Sequence, residues 1–265
     1  MIDRRGFLRL SAAGAATSVL AGCSTRGAEQ LSAKDSATGA LEVPLNPGEA
    51  DVDLGGVRVR TWAYNGQVPA KEIRLKKGQM LRVPVVNKLP AETSVHWHGL
   101  AIPNAMDGVP VLTQPAIAPG GTFTYEFAVP DAGTYYLHSH VKLQLDRGLY
   151  GPLIIEDPEE KADHDHELVV VLDDWIDGTG TNPDQVLANL RKTGMKPMGP
   201  GGMGMSPTSP LADDGGDVTY PYFVINGRVP ADPHVVDYRA GQRVRLRVIH
   251  SGSDTAFRVG LRTRR

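Results

Sequence analysis

"GTYYLHSHVKLQLDRGLYGPLIIED", residues 133–157, carries two short apolar runs separated by a polar, glycine-containing stretch. "TYYLHSH" and "GPLIIED" each read as a β-strand bounded by turn residues. On a strand, side chains at i and i+2 share a face. His138 and His140 therefore stand side by side, with Ser139 turned away. "SVHWHGL", residues 94–100, repeats the figure, with His96 and His98 on one face and Trp97 on the other. Four of the chain's eight histidines are thus spent in two strand-borne pairs. On neighbouring strands they would bring four neutral nitrogen donors together, and imidazole suits copper, zinc, iron and nickel.

Working outward, the same period-2 signal recurs in "GVRVRTWAY", "EIRLKKGQMLRVPVV" and "FTYEFAV", each bounded by Gly, Pro or Asn. About six or seven strands in this first block point to an antiparallel sandwich or barrel. With 30 glycines and 20 prolines among 265 residues, the composition favours many short elements over helices. The formal charge of −2 gives no electrostatic case for a nucleic-acid partner.

"DHDHELVVVLDDW", residues 163–175, begins a second block with a buried-looking strand. Further strands are expected at "YPYFVING", "VVDY", "QRVRLRVIH" and "TAFRVGL". Between them lies a Gly/Pro/Met-rich loop, residues 178–219, in which only "PDQVLANLRK" has helical character. Met195, Met198, Met203 and Met205 cluster there, and thioethers are soft donors for Cu(I); the alternative is a loop of skewed composition. His164 and His166 repeat the H-x-H spacing, but their acidic surroundings read as a solvated linker.

The N-terminus reads as an address. "RRGFLRL", Arg4 to Leu10, has a twin-arginine pair, and the apolar stretch after it is too short to span a bilayer. Residues 1–22 are expected to be a twin-arginine signal peptide, the alternative being an ordinary secretory signal. "LAGCS" resembles a bacterial lipobox, making Cys23 a lipid-attachment site, against a plain cleavage nearby with Cys23 incidental. Residues 23–45 read as a flexible tether. The expected location is extracytoplasmic or periplasmic, with a lipid anchor in the membrane.

"SVHWHGLAIPNAMDGVP" and "GTYYLHSHVKLQLDRGLYGPLIIED" closely resemble the first cupredoxin domain of multicopper oxidases, the family of laccases, ascorbate oxidase and bacterial copper-efflux oxidases. The likeness continues through "TQPAIAPGGTFTYEF" and into a second domain at "VINGRVPADP" and "AGQRVRLRVIHSGSDTAFRV". It implies an all-β fold of cupredoxin-like Greek-key β-sandwich domains: a first over 46–160 and an incomplete second over 161–265. It also implies copper as cofactor, with His96 on the type 2 ion and His98, His138 and His140 on the type 3 pair. The implied reaction is one-electron oxidation of phenols or Cu(I), coupled to reduction of dioxygen to water. Asp107, in "MDG", lies where the family often carries an acid near the trinuclear centre. Because the reaction consumes protons, a carboxylate there suits a relay; the alternative is an Asp-Gly turn residue.

One departure stands out. A type 1 copper needs a cysteine thiolate beside two histidines, and the one cysteine is Cys23, in the leader. The resemblance therefore implies a truncated chain without a type 1 site, inactive by itself. The alternative is a non-catalytic, exported copper-binding lipoprotein.

Overall fold

The computed structural model describes residues 34–35, 39–161, 163–193 and 218–260. Its strands are β1 (Lys34–Asp35), β2 (Leu41–Glu42), β3 (Pro47–Asp53), β4 (Arg58–Tyr64), β5 (Ile73–Lys76), β6 (Met80–Val86), β7 (His96–His98), β8 (Thr122–Ala128), β9 (Gly133–His138) and β10 (Tyr150–Glu156) in the first block. The second holds β11 (His166–Trp175), helix α1 (Pro183–Thr193), β12 (Tyr222–Ile225) and β13 (Val244–His250).

Two sheets of the first block, ordered β1-β2-β6-β8 and β5-β10-β9-β7, close on one another as a sandwich. Alternation along the strands decides what lies between them. Leu81, Val83 and Val85 of β6 point inward with Tyr125 and Phe127 of β8. Trp97, Leu137, Leu153 and Ile155 meet them from β7, β9 and β10. Trp97 stands edge-on to both Tyr125 and Phe127, with ring centroids 5.7 and 5.1 Å away.

The sheets are mixed rather than antiparallel throughout. β2 runs parallel to β6, β5 to β10, and β11 to β13. The antiparallel expectation fails there because alternation reports which face is buried and carries nothing about strand direction. The tether assigned to 23–45 is also too long. Leu41, Val43 and Leu45 are buried in the sandwich, and the Val43 and Leu45 amides donate to the carbonyls of Arg82 and Pro84.

β3, unread in the sequence, forms a two-stranded ribbon with β4. This ribbon and the outer face of β10 meet the second sheet, ordered β12-β11-β13. Leu54, Val59, Ala63 and Tyr150 pack there against Val171, Trp175, Val224 and Ile249. The contact is close. Asn226 and Gly227 both adopt left-handed φ values, 50° and 72°, in a tight turn after β12. A Cβ on Gly227 would lie 2.2 Å from the Val68 carbonyl oxygen.

α1 starts as its sequence directs. Asn182 and Gln185 form a reciprocal cap in which each side-chain oxygen accepts the other's amide at 2.9 and 3.1 Å, with Pro183 in the first turn. "VVDY" and "TAFRVGL" were expected as strands; residues 235–238 and 255–260 are irregular instead. Val235 and Val259 there are largely exposed, so short apolar runs without a pairing partner did not make strands. Cys23 and the four clustered methionines lie outside the described residues.

Candidate metal centre

β7 and β9 are antiparallel neighbours with His96 opposite His138 and His98 opposite Tyr136. That register converts two H-x-H patterns, remote in sequence, into one cluster. One ligand nitrogen from each of His96, His98 and His138 lies within 4.8 Å of the others. His140, just beyond the end of β9, adds its ring 5.3 Å from that of His96. His138 is buried, His96 is partly covered, and His98 and His140 face solvent. Ser139 and Trp97 point the other way and are buried, as the alternation requires.

The ring nitrogens are sorted by their hydrogen bonds. His96 Nδ1 lies 2.7 Å from the Asp107 main-chain carbonyl and 3.4 Å from its carboxylate. His138 Nδ1 lies 2.8 Å from the Ser139 carbonyl. A carbonyl only accepts, so each of these nitrogens carries the proton and each Nε2 keeps its lone pair. His98 Nδ1 stands 3.2 Å from His138 Nε2. Two nitrogens bound tetrahedrally to one ion at about 2.0 Å are separated by about 3.3 Å, so the pair fits a shared ion. Although His98 is exposed on its outer side, the covered part of its ring, and then the neighbouring His96 and His140, hold it below its ordinary value. Burial takes His138 down to about 4, against the opposing Ser139 hydrogen bond. Both lowered values keep the imidazoles neutral and ready to ligate.

A polar frame holds the strand ends. Gln144 Oε1 accepts from the Thr93 and Ser139 hydroxyls at 2.7 Å each, and its Nε2 donates to the Glu92 carbonyl at 2.7 Å. The His140 amide donates to Ser94 Oγ at 3.2 Å. Asp107 reaches His96 because Gly108, with φ 75°, presses against the β7 approach; a Cβ there would fall 1.8 Å from the Val95 carbonyl oxygen. Asp107 thus sits in the turn with its carboxylate 3.4 Å from His96 Nδ1.

Sequence reasoning singled out the four histidines and Asp107, which the fold brings together, but did not point to Thr93, Ser94, Gln144 and Tyr136 around them. Of these only Tyr136 had a legible signal, being two residues from His138 on the same strand face. His164 and His166 lie outside the cluster: His164 Nε2 is 3.9 Å from Glu167, and His166 packs its ring 5.2 Å from Tyr238. The linker reading is half right, since His166 is exposed yet opens β11.

With this geometry in view, comparison with known proteins is decisive. A family model described as multicopper oxidase matches residues 46–160. The multicopper oxidase MmcO of Mycobacterium tuberculosis is 42% identical, over 98% of this chain and 54% of that protein. Copper resistance protein A of Pseudomonas syringae pv. tomato is 36% identical, over 82% of this chain and 39% of that one. The chain belongs to the multicopper oxidase family. Among solved structures, the multicopper oxidase of Pseudomonas thermotolerans superposes with a TM-score of 0.63 at 32% identity, covering 81% of this chain and 47% of its own. The blue copper oxidase of Nitrosomonas europaea gives 0.62 at 30% identity, over 80% and 61%. The present multicopper oxidase chain thus spans about half or less of the curated relatives named above. The cupredoxin-like sandwich accords with this membership, and the histidine cluster fits a metal site in a family that uses copper. No helix among its described residues is long and apolar enough to cross a membrane.

Proposed function

We propose that the histidine cluster is one half of an oxygen-reducing copper centre in an exported oxidase that takes single electrons from phenols or Cu(I). The observation that carries this reading is the 3.2 Å approach of His98 Nδ1 to His138 Nε2 from two different strands. His96 would serve the type 2 position, and His98, His138 and His140 the type 3 positions. Copper, when bound, supplies the one-electron chemistry by which dioxygen becomes water. The chain's own residues do the rest: Ser139 and Asp107 fix which nitrogen of His138 and His96 is free, and the Asp107 carboxylate, 3.4 Å from His96 Nδ1, stands where it can relay protons to the centre. The names of the copper resistance proteins among the relatives support a role in handling copper. In this reading Arg4 and Arg5 direct export and Cys23 carries a lipid anchor that holds the protein at the membrane surface.

Copper titration of the purified chain, followed by isothermal calorimetry and Cu(II) paramagnetic resonance, tests the proposal. Binding should require His98 and His138 together; copper held equally well by the His98→Ala and His138→Ala variants would sink it. A second reading has its own support. The chain's one cysteine is Cys23, remote in sequence from the centre, so no thiolate is available for a type 1 site. The 265 residues by themselves would then act as a copper-binding lipoprotein without turnover. Dioxygen uptake with a phenol separates the two, because copper bound without uptake favours the second.

A further inference from the structure

The face of β9 that carries His138 also carries the junction with the second sheet. Its inward residues, Tyr135 and Leu137, belong to the sandwich core. Its other face presents Thr134, Tyr136 and His138 in succession. Thr134 accepts a hydrogen bond from Arg247 of β13 at 2.9 Å. His138 joins the metal cluster. Tyr136, between them, does both things. It packs against the apolar cluster that includes Val171, Val224 and Ile249 of the second sheet. Its ring also stacks on His98 (centroids 4.6 Å apart, planes at 25°) and on His138 (5.1 Å, 24°). One half-buried ring therefore touches the two imidazoles whose ligand nitrogens are 3.2 Å apart.

We propose that Tyr136 is a positioning residue through which the second sheet sets the planes of His98 and His138 and so the copper affinity of the site. This rests on the copper reading above. Imidazole rings without a second partner are free to rotate about χ2. His138 is tied through Nδ1 to the Ser139 carbonyl, whereas the Nδ1 of His98 faces the metal position, leaving ring stacking to restrain its plane. The stack can restrain His98 only while Tyr136 is itself held from behind, and what holds it is the junction cluster. Groups that orient metal ligands from outside affect affinity nearly as much as the ligands do.

The test uses the full chain with Cu(II) alone, reading affinity by competition with a chelator, the Cu(II) hyperfine splitting, and thermal unfolding. Tyr136→Phe keeps the ring and should stay near the wild-type affinity and spectrum. Tyr136→Leu should weaken copper by about 10- to 100-fold and change the hyperfine splitting, at temperatures where the protein is still folded. Val171→Ala, on the far side of the junction, should weaken copper in the wild-type background and add nothing in the Tyr136→Leu background. Wild-type affinity and spectrum in Tyr136→Leu, or strictly additive losses in the double variant, would overturn the inference. Were Tyr136→Leu to fail to fold, an unchanged affinity and spectrum in Val171→Ala would do the same. A wild-type chain that bound no copper would overturn the copper reading itself, a result distinct from normal copper binding by the Tyr136 variants.

Discussion

His98 Nδ1 and His138 Nε2 face each other across 3.2 Å, although 40 residues separate them in the chain. The approach depends on β7 and β9 pairing with His96 opposite His138. A slip of β7 by one residue would send His96 and His98 to the opposite face, away from His138, and bring Trp97 out of the core. Burying Trp97 at the centre of the sandwich therefore fixes the register that assembles the site.

The first prediction follows from that pairing. Copper that binds only the folded chain should raise its unfolding temperature, by an amount equivalent to about 2.7 kcal/mol when free copper is a hundredfold above Kd. His98→Ala and His138→Ala should each abolish the rise while leaving the copper-free melting curve close to wild type for exposed His98. A copper-induced rise that survives both substitutions would place the ion elsewhere.

Gly108 gives a sharper test. A methyl group there meets the Val95 carbonyl oxygen, and φ of 75° is unfavourable for any residue with a Cβ. Gly108→Ala should cost more than about 2 kcal/mol in denaturant unfolding, and copper affinity should fall as Asp107 is pushed off His96. Full stability with full affinity would mean that the turn does not position His96.

The histidine pairs, the first sandwich and the segment that forms α1 were legible because each is a local pattern, period 2 for the strands and the helical character of "PDQVLANLRK" for α1; the reciprocal Asn182/Gln185 cap that starts the helix was not read. Asp107 was legible as a motif, although its contact with His96 through the main-chain carbonyl was not. What could not be read depends on pairing between distant segments. β2 and β3 are held by partners at β6 and β4 rather than by their own sequence. "VVDY" has the composition of a strand but no neighbour to pair with among the described residues. Gln144 and Thr93 were invisible for a similar reason: isolated polar residues gain meaning only when folding buries them together.

Asp107 separates two roles that its position combines. Its carbonyl holds His96 at 2.7 Å, while its carboxylate, 3.4 Å away, is the group proposed to relay protons. Asp107→Ala keeps the carbonyl, so copper affinity of the chain should change little. Where dioxygen is consumed, the same substitution should slow that consumption by about 10²- to 10⁴-fold, the usual contribution of a positioned proton donor. Loss of copper in Asp107→Ala would instead assign the carboxylate to holding His96.

The junction between the two blocks should be sensitive to pH, and the direction follows from Asp146. Its carboxylate is buried beside the second block, where the Tyr220 hydroxyl lies 3.3 Å from both oxygens. Burial, and then the nearby Asp174, push Asp146 up to about 7. An unfolded aspartate titrates near 3.9. Between about pH 4 and 7 the folded chain therefore holds a proton that the unfolded chain has lost. The stability linked to Asp146 is fully present below about 4 and is lost as pH rises through 7. At about 1.4 kcal/mol per pKa unit the effect is on the order of a few kcal/mol. Asp173, fully buried and hydrogen-bonded to Tyr150, is likewise raised by burial and adds in the same direction. His138 opposes them: held down at about 4 by burial, it contributes stability that is lost as pH falls from about 6.5 toward 4. The opposing terms overlap below about 6.5, so a wild-type curve alone does not isolate Asp146. Asp146→Asn does, because an amide of the same shape still accepts from Tyr220 and carries no titratable proton. Urea midpoints of both proteins should be compared from pH 4.5 to 7.5. The difference should move steadily in favour of Asp146→Asn as pH rises and level off above 7; two parallel curves would mean that Asp146 titrates as an ordinary, solvated aspartate.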